Sequence, residues 1–124
     1  MIVFAQTSGN PSTNSESWTP IPGLSLKVPG GFGEAVLLIL NVPNPHAIGP
    51  TYPTGYFGIE VDGQLQTPIA SFVFNSQTPP SSTTLCVPVK LNSTNPSAVT
   101  AVWYGHNNTT VTLFSQATLA AVVG

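Results

Sequence analysis

Short runs of β-branched and aromatic residues recur along the chain, separated by clusters of Pro, Gly, Asn and Ser. No long stretch repeats its apolar positions at the helical period between start and stop signals. The runs predict strands over Ile2–Gln6, Leu24–Val28, Glu34–Val42, Tyr56–Val61, Ile69–Asn75, Leu85–Leu91, Ala98–Tyr104, Thr109–Phe114 and Ala117–Val123. So many strands in 124 residues predict an all-β fold, an antiparallel jelly-roll sandwich.

The breakers add detail. Asp62-Gly63 lies between Gly58–Val61 and Gln64–Gln66, the pattern of a two-residue hairpin. Val28-Pro-Gly-Gly-Phe-Gly-Glu34 predicts a turn, because its glycines tolerate positive φ. The Pro-rich passages Pro43–Pro53 and Gln77–Thr84 are expected to leave the sheets as surface connections, since proline cannot donate to a ladder. No repeat or linker interrupts the pattern, so residues 1–124 are expected to form one domain.

Two runs break the alternation. Ala35–Leu40 and Leu119–Val123 are apolar throughout, as strands are when neither face meets water. A chain this short cannot cover both faces of such strands itself. The expectation is therefore a homo-oligomer with a charge-poor, apolar contact.

Composition sharpens this picture. The chain has two Lys, no Arg and four acidic residues, but 15 Thr, 12 Ser and 9 Asn. Without clustered cations it has no footprint for nucleic acid or anionic lipid. No apolar run approaches the length of a membrane span, and Met-Ile-Val-Phe-Ala lacks the charge and length of a signal-peptide start. These features leave localisation open between the cytoplasm and export by an unconventional route. Cys86, the only cysteine, sits in Leu-Cys-Val-Pro-Val and reads as a small buried hydrophobe. The triplets beginning at Asn92, Asn107 and Asn108 match the glycosylation pattern, as expected by chance in so Asn- and Thr-rich a chain.

Candidate chemistry is sparse. Glu16, Glu34, Glu60 and Asp62 fall mostly at strand ends and turns rather than as a cleft pair. No nucleophile elbow occurs, and His46 and His106 lack companions at metal-ligand spacing. Neither catalysis, a metal nor a cofactor is expected. Binding fits better: Tyr52, Tyr56, Trp103, Tyr104 and both histidines sit among Ser, Thr, Asn and Gln. Flat apolar rings beside neutral hydrogen-bonding groups suit a sugar, although the same aromatics also suit a core.

The run Leu38-Ile-Leu-Asn-Val-Pro-Asn-Pro-His-Ala-Ile-Gly49, followed by Tyr52-Pro53 and Gly55-Tyr56-Phe57, resembles the tumour necrosis factor-like lectin domain at the N-terminus of a Burkholderia superlectin. Ile21-Pro-Gly-Leu24 agrees upstream; Pro79-x-Ser81, Trp103 and Ser115-x-Ala-x-Leu119 agree downstream. The resemblance implies a jelly-roll homotrimer that binds fucosides or other neutral saccharides between subunits, without catalysis. Carried over by position, it implies a sugar site of His46, Tyr56, Phe74, Ser81, Ser82, Thr84 and Asn107. Phe74 follows Val73 where the family has a Thr-Tyr pair, and His46 replaces a tyrosine. Two family arginines fall near Thr84 and Asn107, so the charged fork is missing and fucose specificity does not transfer. The alternative is a structural trimerisation module that has lost its sugar site.

Overall fold

A computed structural model of the chain describes residues 1–30, 35–50, 52–74, 82–91 and 94–124. The strands are β1 (Ile2–Gln6), β2 (Ser12–Thr13), β3 (Thr19–Val28), β4 (Ala35–Val42), β5 (Pro45–Ile48) and β6 (Thr54–Val61). They continue with β7 (Gln64–Leu65), β8 (Ala70–Val73), β9 (Thr83–Lys90), β10 (Ser97–His106), β11 (Thr110–Leu113) and β12 (Thr118–Val123). Every pairing is antiparallel. One sheet runs β1-β12-β4-β9 and the other β3-β10-β6-β7, with β8 also on β6. A small sheet, β2-β11-β5, stands beside them. This is the expected all-β jelly-roll sandwich. No helix among the described residues is long and apolar enough to cross a membrane.

Period-two alternation decides what fills the space between the sheets. From the first sheet come Val36, Leu38, Leu40, Leu85, Val87, Leu119 and Ala121; from the second come Leu24, Leu26, Phe57, Ile59, Val99 and Trp103. All are buried. Phe57 stacks on Phe72 at 5.6 Å and meets Trp103 at 6.3 Å.

The other side of the first sheet is unusual. Its register aligns Ile2, Val122, Leu37 and Pro88 in one outward row and Phe4, Ala120, Ile39 and Cys86 in the next. Ile2 and Phe4 are 66% and 64% exposed, while Leu37 and Val122 are 38% and 37% exposed. A third row, Gln6, Thr118, Asn41 and Thr84, is polar. The apolar runs of β4 and β12 are thus two-sided, with one side in the core and one at the surface.

Three expectations need correction. Pro45–Ile48, within the passage expected to leave the sheets, pairs with β11. It can do so because β5 is an edge strand that begins at its proline, where no ladder donor is lost. Thr83 and Thr84 likewise belong to β9 rather than to a connection. Cys86 is exposed, not buried, because Leu85 and Val87 on either side point inward. Asp62 and Gly63 do form the hairpin between β6 and β7, at φ of 50° and 82°. Glu34 with most of its turn, and residues 75–81, lie outside the described residues.

Candidate functional site

Tyr56 on β6 lies directly opposite Tyr104 on β10. Both point away from the core, and their rings stack at 4.7 Å with planes 12° apart. Two positions along β10, the His106 ring meets Tyr56 edge-on at 6.2 Å. On the other flank the Trp18 indole stands at 86° to Tyr104, with centroids 4.7 Å apart. The indole reaches this position because Gly58 leaves room: a Cβ there would come 3.2 Å from Trp18 Cη2 and 2.8 Å from Leu65 Cδ1. Burial, helped by the neighbouring Tyr56 phenol, pushes the Tyr104 pKa up from its ordinary value.

Asn107 follows His106 in the β10–β11 turn. Asn107 and Asn108 have φ of 55° and 58°, the left-handed region that asparagine tolerates better than most residues, as the chain passes from one sheet to the next. The turn is tied down from outside: Glu16 Oε1 accepts the Asn108 N–H at 3.0 Å, and Gly105 N–H donates to the Ser15 carbonyl at 2.9 Å. The Thr109 hydroxyl donates to the His106 carbonyl.

His46 on β5 packs between Phe74, at 5.1 Å, and Phe114, edge-on at 4.8 Å. Phe74 is fixed just after β8 by its N–H bond to the Pro53 carbonyl at 2.9 Å. A groove of about 710 Å³ opens beside this pair, walled by Ile48, Tyr52, Val73 and Phe74.

Thr84 and Ser82 lie elsewhere. Thr84 is exposed in the polar outward row of the first sheet, where its hydroxyl donates to Asn41 Oδ1 at 3.0 Å. Ser82 is exposed just before β9. Ser81 lies outside the described residues.

The candidates therefore form separate groups: Tyr56 beside His106 with Asn107 following, His46 with Phe74, and Ser82 with Thr84. Tyr56 and Thr84 point outward from opposite sheets, with the sandwich between them, roughly 10 Å from sheet to sheet. A single subunit does not bring them to one small ligand. Trp103, grouped with the loop aromatics in the sequence, is 1% exposed and belongs to the core. Trp18 was not legible as a site neighbour. Its signal was Gly58, a glycine inside a strand, which often marks the close approach of another group.

Residues 4–122 match the family described as Bc2l-C, N-terminal domain. No curated protein gives a significant match. The match spans nearly the whole chain and agrees with its antiparallel sandwich, so this chain belongs to the Bc2l-C N-terminal domain family, a family of lectin-like domains.

Proposed function

We propose that three copies of the chain pack through the outward face of the β1-β12-β4-β9 sheet and bind neutral glycans between neighbouring subunits. The observation that carries this reading is the double apolar row of Ile2, Val122, Leu37, Phe4 and Ile39 on an outward sheet face. Scattered exposed apolar residues are ordinary, but a contiguous apolar face marks an interface. Thr84 lies in the polar row of this same outward face, so assembly through it would bring Thr84 against a neighbouring subunit.

In such a site Tyr56 and Phe74 offer apolar surface to sugar C–H groups. His46, Ser81, Ser82, Thr84 and Asn107 supply neutral donors and acceptors. No arginine contributes. Each missing charged hydrogen bond is worth roughly 1.5–3 kcal/mol, so single sites bind weakly and avidity comes from using several at once.

Light scattering and a glycan array test this reading together. A particle of three times the 12.9 kDa chain mass that retains neutral saccharides is the expected result. A single-chain particle at micromolar concentration contradicts the assembly. A trimer that retains no saccharide above background instead supports the structural module, which the absence of arginine favours.

A further inference from the structure

We infer that Trp18 and the Tyr104–Tyr56 pair form a second sugar subsite, so that the ligand is a neutral oligosaccharide whose next pyranose packs on the indole. This rests on the sugar-binding reading above and adds a site on the outward face of the other sheet.

The outward positions of that sheet come in rows. Tyr56 and Tyr104 make one row, followed by Gly58 and Val102, then Glu60 and Thr100. In the middle row Gly58 has no side chain, and the Trp18 indole and Leu65 occupy the space above it. Val102 opposite is only 1% exposed despite its outward position, so this part of the sheet is covered. The indole itself is only half-buried. It meets the Tyr104 ring at 86°, so the indole and the paired phenols make a right-angled corner.

Polar groups stand on both sides of this corner. Tyr56 and Tyr104 place phenol hydroxyls along one side. On the other lie Glu60 and Thr100, with Ser25 bonded to the Thr100 hydroxyl at 3.4 Å. An apolar floor between two hydrogen-bonding rows matches a pyranose, which has a C–H face and a rim of hydroxyls. The Glu60 carboxylate accepts from neighbouring hydroxyls and repels acidic sugars. A clamp for the chain preceding β3 would not need a half-exposed indole, because Ser15 and Glu16 already tie that segment to β10 and its turn through Gly105 and Asn108.

Trp18 and the buried Trp103 are the only tryptophans, so a ligand-induced change in emission reports on Trp18. The probes are the methyl glycosides of fucose and galactose, against lactose, fucosyllactose and lacto-N-tetraose. The expected result is tighter binding of at least one oligosaccharide than of its component monosaccharides, with a shift in emission. Trp18→Leu weakens that oligosaccharide about tenfold while monosaccharide affinity is unchanged. Trp18→Phe, which keeps a ring over Gly58, guards against a folding defect by restoring part of the loss. Monosaccharide binding without tighter oligosaccharide binding, or without any effect of Trp18→Leu, overturns this inference alone. If none of the probes binds, the sugar-binding reading falls and takes this inference with it.

Discussion

Tyr56 and Tyr104 face each other across β6 and β10 with their rings stacked at 4.7 Å, while the adjacent register pair, Phe57 and Trp103, is buried. One step of strand parity thus separates two core aromatics from two outward ones. The outward pair is where the proposed binding surface begins.

Replacing Tyr56 by Ala removes that stack and the ring assigned to the sugar. Any rise in melting temperature produced by monosaccharides at tens of millimolar is expected to vanish, because that rise requires binding to the folded state. The trimer mass is expected to persist, with a stability loss of about 1 kcal/mol from the lost ring pair. Ligand-induced stabilisation that survives in Tyr56→Ala removes Tyr56 from the site.

Ile39 lies at the centre of the outward apolar rows, with Ala120 and Cys86 on either side. Ile39→Glu places an uncompensated charge in the proposed interface and is expected to yield single chains by sedimentation. The Cys86 thiol provides a second readout. It is exposed in one chain, and is expected to react slowly with a thiol reagent in the native assembly and rapidly in Ile39→Glu. Equal rates argue that this face is not covered.

The turn between β10 and β11 makes a prediction independent of function. Asn108 sits at a φ of 58°, which glycine adopts without steric cost. Asn108→Gly keeps the backbone N–H bound by Glu16 and is expected to raise the melting temperature slightly. Gly105→Ala is expected to destabilise by more than 1 kcal/mol, since its Cβ would run into the Thr109 carbonyl. Thermal denaturation of the two variants, shifted in opposite directions, checks both.

Tyr104 sets an alkaline limit. Its pKa is raised in the folded chain, so the unfolded chain gives up that proton first as pH rises. Stability from this group is intact below the ordinary phenol value and is lost as pH climbs from there through the raised folded value. Urea denaturation at increasing alkaline pH is expected to show a steeper loss in the native sequence than in Tyr104→Phe. Parallel curves contradict the assigned environment.

Much of the framework was legible in the sequence because strand signals are local. Asp62-Gly63 specified its hairpin, and the unbroken apolar runs announced that β4 and β12 carry apolar residues on both faces. Features set by tertiary partners were less legible. Pro45–Ile48 becomes a strand only because β11 lies beside it. The exposure of Cys86 follows from the parity of β9, which its apolar neighbours concealed. The site was hardest to read: family positions named Tyr56 and Thr84, but only the folded chain places them on opposite sheets. Trp18 becomes a neighbour of the Tyr56–Tyr104 pair through Gly58, two residues beyond Tyr56.

Subunit complementation tests the claim of a shared site most directly. Tyr56→Ala and Thr84→Val subunits are prepared separately, then unfolded and refolded together in equal amounts, and saccharide binding is measured against each parent trimer. Each variant alone is expected to bind nothing. In the mixture roughly a quarter of the sites should recover, since random assortment pairs an intact Tyr56 with a neighbour's intact Thr84 that often. Mixed trimers that bind no better than either parent would contradict the account.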